Sequence, residues 1–252
     1  TVEGFEVRNS ASRGIVIAQY ATDPQVQRNV TIRNNIVHGS RDSGINVNGT
    51  STQRPYNILI EKNAVYDNQL KNSGAHIGGS ALDFLEVENS IARGNTVYHN
   101  LGEGLVADRW TSNLTFEDNI LYDNKHSSIY LSTDNRDFWR GSGNAKKPAP
   151  GITVRDENYE GQTTKPPASS GQVIINNMVI GCGNNFIVST QFPGGGLNNA
   201  VVANNSFINA RGDQGAGAMN VLFEGDATFR NSRFVYNLIL QADPSGQLVR
   251  IL

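Results

Sequence analysis

The chain has 252 residues, 38% of them apolar and 17% charged, a balance that fits neither a disordered segment nor a membrane-embedded one. A net charge of −2 offers no basic surface to a phosphate backbone, which points away from nucleic acid, and no run of about 18 apolar residues exists to cross a bilayer. The single cysteine, Cys182, excludes an internal disulfide framework and a zinc cluster.

The first ten residues, "TVEGFEVRNS", read as a strand, so either a leader has been removed or the sequence is an excerpt of something longer. From Asn29 a template becomes visible, N-h-x-h-x-x-N-x-h with h apolar. "NVTIRNNIV" at Asn29 is followed by "NILIEKNAV" at Asn57, "NSIARGNTV" at Asn89, "NLTFEDNIL" at Asn113, "NAVVANNSF" at Asn199 and "NSRFVYNLI" at Asn231. Weaker copies, "GFEVRNSAS" and "GQVIINNMV", begin at Gly4 and Gly171. The second Asn column is Asn35, Asn63, Asn95, Asn119, Asn177, Asn205 and Asn237, with Ser10 in the first copy, at steps of 25, 28, 32, 24, 58, 28 and 32 residues. The step of 58 reads as one repeat plus a long insertion.

Each unit carries a further short strand: "GIVIA" at Gly14, "GINVN" at Gly44, "ALDFL" at Ala81, "GLVAD" at Gly104, "SIYLS" at Ser128 and "NFIVS" at Asn185. Apolar residues recur every second position, the strand period, and no segment sustains a 3.6 period. Short strands repeating without helices predict a β-solenoid. Asparagine then has two uses. It tolerates the left-handed corners between strands, and stacked Asn amides, at the roughly 4.8 Å spacing of parallel strands, bond one another up an inner ladder. A leucine-rich repeat shares the Asn column, but its motif demands leucines where this chain has Val, Ile, Phe and Ala.

With its "NVTIRNNIVHGSRDSGI" phrasing, the chain resembles the right-handed parallel β-helix repeats of pectate-lyase-like proteins over nearly its whole length. The resemblance implies an all-β, right-handed single-stranded parallel β-helix of about eight coils, one domain over 1–252, with a long inserted loop at about 134–170. It is less specific for function, because this architecture hosts lyases, glycosidases, epimerases, tailspikes and non-catalytic surface proteins.

Two insertions stand out, Gln69 to Ser80 and Asp134 to Ser170, and solenoid insertions often build binding surfaces. Around them cluster His76, Asp83, Glu103, Asp108, Arg109, Trp110, Tyr130, Asp134, Arg136, Asp137, Trp139 and Arg140. Aromatic rings stack on sugar faces, and guanidinium groups pair with uronate carboxylates. The sharper reading takes Asp83, Asp108, Arg109, Asp134 and Arg136 as catalytic, and His76, Trp110, Tyr130, Trp139 and Arg140 as substrate-binding. The plainer one makes the aspartates turn caps, the arginines their surface partners and the tryptophans pins for the long loop. Tyr66, Tyr98 and Tyr122, with His38 a coil earlier, share one repeat position and form either a stiffening ladder or a sugar-binding strip.

A lyase needs a base beside a uronate carboxyl group and a cation or Arg to neutralise that carboxylate. The resemblance implies Ca²⁺, for which Asp83, Glu86, Glu103 and Asp108 offer oxygens. A glycosidase would instead pair Asp83 with Asp108, or Asp108 with Asp134. The family's polygalacturonase and epimerase signatures are absent, so no catalytic residue carries over by position. The expected partner is an acidic polysaccharide, cleaved by β-elimination, in a secreted or cell-surface setting. The alternative is a non-catalytic structural or adhesive β-helix, associating end to end with itself or with neighbouring domains.

Overall fold

The computed structural model describes residues 1–68, 80–124, 151–156, 169–183, 185–190, 197–210, 217–222, 230–242 and 247–251. Those residues form strands and turns, and every strand pairing among them is parallel, between one coil and the next.

Three sheets run the length of the stack. Sheet A holds Arg28–Arg33, Tyr56–Glu61, Glu88–Arg93 and Ser112–Glu117 in order, sheet B holds Ile36–His38, Ala64–Tyr66, Thr96–Tyr98 and Ile120–Tyr122, and sheet C holds Ile45–Asn48, Leu82–Leu85, Leu105–Asp108 and Ile152–Asp156. The chain passes A, B, C and returns to A, which is a parallel β-helix. Residues of alternating parity point inward and stack in columns. Ile32, Ile60, Ala92, Phe116, Ile174 and Val202 make one such column, fully buried or nearly so, and Phe84 meets Phe116 with ring centroids 5.6 Å apart. Gly104 precedes sheet C where a Cβ would lie 2.4 Å from the Gly151 carbonyl oxygen, so the coils approach too closely there for any side chain.

The inner ladder is continuous. Asn35, Asn63, Asn95, Asn119, Asn177 and Asn205 each donate Nδ2–H to Oδ1 of the next Asn, ending at Asn237, over 2.9–3.0 Å. Each Oδ1 also accepts a backbone N–H from the coil below, and each Nδ2 donates to a sheet A carbonyl, as Asn95 does to Ile60 at 2.9 Å. The amides are thus satisfied although Asn35 to Asn205 are almost wholly buried.

The structure amends the sequence reading in four places. The buried ladder residues are not the left-handed ones. That conformation falls to the residue just before each, Asn34, Lys62, Gly94, Asp118, Asn176, Asn204 and Tyr236, and to the exposed first column of asparagines, Asn29 to Asn231, with φ of 46–60°. The first copy is also shifted, because Val2 pairs with Ile32 and Glu6 with Ile36, so Phe5 rather than Ser10 stands beside Asn35. A second inner ladder, unseen in the sequence, runs Asn68 to Asn100 to Asn124 at 2.9–3.0 Å and ends on the Cys182 sulfur at 3.8 Å. Finally, "SIYLS" lies outside the described residues, and the strand that follows Ile120–Tyr122 in sheet C is Ile152–Asp156, inside the stretch expected to be loop.

In-register stacking also orders the outer surface. On sheet A, Glu3, Arg33, Glu61, Arg93 and Glu117 alternate in charge, with Glu3–Arg33 at 2.8 Å and Glu61–Arg93 at 2.9 Å. Alternation matters more than the bridges themselves, since an exposed pair such as Glu3–Arg33 contributes only about 0–1 kcal/mol while like charges would repel. On sheet B, His38, Tyr66, Tyr98 and Tyr122 stack face to face at 4.8 Å.

Replacing Asn95 with Ala strands an amide and a carbonyl in the core at once, and should lower stability by about 3 kcal/mol or more. Asn89→Gly, in the exposed column at φ 46°, should cost less than about 1 kcal/mol. Urea unfolding of the two variants measures the contrast.

Candidate functional site

Connections around a coil differ sharply in length. Sheet A turns into sheet B through two residues, the left-handed one and the ladder Asn, and neither can be lengthened without breaking the ladder. Sheet C returns to sheet A without that constraint. After Leu82–Leu85 and Leu105–Asp108 only a short corner intervenes, but after Ile15–Ala18 and Ile45–Asn48 the chain runs through residues 19–27 and 49–55 before sheet A resumes. Two projecting connections beside two short corners leave a cleft of about 470 Å³ at the outer C-terminal edge of sheet C.

Its lining comes from four consecutive coils: Arg13, Val16, Gln19 and Tyr20 from the first, Asn48, Thr50 and Ser51 from the second, Glu86 from the third and Arg109 from the fourth. Backbone bonds fix the register, Gln19 N–H to the Asn48 carbonyl, Gly49 N–H to that of Leu85 and Glu86 N–H to that of Asp108. A Cβ on Gly49 would lie 2.1 Å from the Glu86 carbonyl oxygen, so only glycine lets this edge close up.

Glu86 and Arg109 occupy the corner itself, and Glu86, Arg109 and Trp110 all have φ between 43° and 55°. Non-glycine residues held in that region cost about 1 kcal/mol or more each. Glu86 is 6% exposed. Burial pushes its carboxyl above the ordinary carboxylate value, Arg109 and then Arg54 pull it back, and Asp108 adds to the rise. Beside it, Arg54 bonds Glu88 at 2.9 Å and lies over the Trp110 ring, 5.7 Å from its centroid.

The site therefore differs from the one expected. Arg109 does line the cleft. Trp110 is buried with Arg54 across its ring, so its face is not offered to a sugar. Asp108 is 4% exposed and belongs to the covered part of sheet C. Asp83 and Asp108 are not vertical neighbours: Asp83 pairs with Val106 and Asp108 with Leu85, which puts their Cα atoms about 8 Å apart on a diagonal. Asp83 instead accepts from Asn46 Nδ2 at 3.0 Å, and Glu103 from Ser80 Oγ at 3.1 Å. Among the described residues no three Asp, Glu, His or Cys side chains converge. Asp134, Arg136, His76, Tyr130, Trp139, Arg140 and Asp137 lie outside the described residues. The tyrosine column resolves toward stiffening, because stacked neighbours already occupy the ring faces a sugar would need. Burial and the neighbouring Tyr122, Tyr66 and Asp67 raise the Tyr98 phenol above its usual value.

Sequence reasoning missed Arg13, Gln19, Tyr20 and Asn48 altogether, and named Glu86 only as a metal ligand. The available signal was the length of the C-to-A connection, long after Ala18 and Asn48 and short after Leu85 and Asp108.

The family model described as "Right handed beta helix region" matches residues 1–144, so the chain belongs to the right-handed β-helix family. No curated protein sequence matches it. Among solved structures, an alginate lyase from Paenibacillus sp. str. FPU-7 is similar, with 12% sequence identity, a TM-score of 0.40, and coverage of 98% of this chain and 87% of that one.

Folding raises the Glu86 pKa from 4.5 and so favours its neutral form. Its contribution to stability is complete below the unfolded value and lost as pH rises through the folded one. Glu86→Gln removes that loss. The melting temperature of the variant relative to the parent should therefore climb as pH rises from 4.5 upward. A gap that stays flat across this range would contradict the assignment.

Proposed function

We propose that this β-helix binds an acidic polysaccharide along the cleft and cleaves it by lyase-type β-elimination. The observation that carries the reading is a buried carboxyl, Glu86, held above its ordinary pKa at the floor of a cleft that also contains Arg109 and Arg13. A base works best when its pKa approaches the working pH, and burial moves Glu86 in that direction. Arg109 supplies what a uronate needs, a planar guanidinium that can face the sugar carboxylate and offset the negative charge that grows on it as the adjacent proton leaves.

In this scheme the ionised Glu86 takes the proton on the carbon next to the uronate carboxyl. The freed electron pair forms a carbon–carbon double bond, the glycosidic C–O bond breaks, and the departing oxygen receives the proton that Glu86 has taken up. No oxidant or co-reactant is consumed. Charge neutralisation rests on Arg109. Assays with calcium and with a chelator ask whether residues outside the described set bring a cation as well. A secreted or cell-surface location suits such a substrate and is part of the same proposal.

The test is a panel of uronic-acid polysaccharides followed by the ultraviolet absorbance of the unsaturated product. The parent protein should generate absorbance on at least one of them. Glu86→Gln should lower kcat by about 10²-fold or more while still binding, and Arg109→Ala should weaken both steps. Binding without any absorbance would make the cleft a carbohydrate-binding module, and silence in both assays would leave the structural β-helix.

A further inference from the structure

The Tyr20 side chain is the most exposed large group in the cleft, at 66%. An exposed aromatic ring is ordinarily mobile, but the backbone beneath this one is tied down from several directions. Gln19, itself 4% exposed, shares the two protons of its Nε2 among the Tyr20 carbonyl at 3.2 Å, the Asp23 carboxylate at 3.2 Å and Gln53 Oε1 at 2.6 Å. Its Oε1 accepts the Gln27 N–H at 2.7 Å. The Asp23 carboxylate accepts the Tyr20 N–H at 2.7 Å, and Gln53 Nε2 donates to the Asp23 carbonyl at 3.2 Å. One buried amide thus closes the 19–27 connection on itself and fastens it to the connection one coil above.

The outcome is a tied-down loop presenting an exposed ring, at one end of a cleft whose other end holds Glu86 and Arg109. Tyr20 follows Gln19 in the first coil and Glu86 stands in the third, so two strand spacings, about 10 Å, separate them along the helix axis. That distance puts the ring beyond the sugar unit whose proton Glu86 would take.

We infer that Tyr20 is a sugar-stacking platform for a unit remote from the reacting bond, a positioning residue that makes the cleft select long chains over short ones. The inference rests on the glycan reading above. Tyrosine suits the role because it offers a large rigid face at a small entropic penalty. A short oligomer seated at Glu86 and Arg109 does not reach the ring, whereas a longer one lying along the axis does.

Calorimetric titration separates this from the parent reading. The protein is the Glu86→Gln variant, whose slowed turnover spares the ligand during a titration, alone or combined with Tyr20→Ala or Tyr20→Phe. The probes are dimers and hexamers of galacturonate and of mannuronate. Tyr20→Ala should weaken the hexamer roughly tenfold and leave the dimer within about twofold, while Tyr20→Phe retains hexamer affinity. Unchanged hexamer affinity in Tyr20→Ala overturns the platform and leaves the glycan reading standing. An equal loss for dimer and hexamer also overturns it, because it would mean a general disturbance of the cleft. Failure of the protein with Tyr20 intact to bind any of the four probes would overturn both.

Discussion

The buried asparagine amide that bonds its own copy one coil away is the interaction on which this architecture depends. A solenoid corner is where the backbone leaves a sheet, and a backbone leaving a sheet strands polar groups in the core. Here each amide accepts a backbone N–H from the coil below and donates to a sheet A carbonyl, and a further bond passes to the next amide. The same side chain therefore closes the corner and sets the vertical register. Because strand side chains alternate with a period of two, a slip of one residue would turn the apolar column from Ile32 to Val202 outward, so the ladder and the core enforce one another.

Once register is fixed, residues distant in sequence become a surface. Glu3, Arg33, Glu61, Arg93 and Glu117 are spread over more than a hundred positions yet alternate in sign within a single column. The tyrosine stack follows the same logic, with ring spacing set by the strand spacing rather than chosen by the rings. That constraint explains how the stack stiffens the wall: a column repeating at 4.8 Å leaves no gap between rings.

Much of the fold was legible because the ladder demands one residue type at one position in every coil, and repetition of that kind is visible in a single sequence. What escaped was governed by something other than repetition. The second ladder mixes Asn68, Asn100 and Asn124 with Ser40 and Cys182, so no single letter marks it. Phe5 replaces Asn at the first ladder position, which let Ser10 be mistaken for it. The strand Ile152–Asp156 sits far from its coil in sequence, where distance reads as loop. The site suffered most, since charge and aromaticity drew attention to Asp108 and Trp110, whose side chains turn out to be buried. Composition can nominate a residue, but only the path of the chain decides whether it faces a cleft.

That path also explains why a cleft forms where it does. The A-to-B corner is held by a ladder that permits no insertion, and the B-to-C side carries the second ladder over several coils. The return from C to A also varies, from a short corner after Leu85 and Asp108 to a projecting loop after Ala18 and Asn48. Long connections at residues 19–27 and 49–55 beside short ones after Leu85 and Asp108 make a recess by difference of height. The short corners then have to turn within two or three residues, which is what forces Glu86 and Arg109 into the left-handed region and points both toward the recess. Strain, burial of Glu86 and access to the cleft are in this sense one consequence of short corners set beside two connections that have been extended.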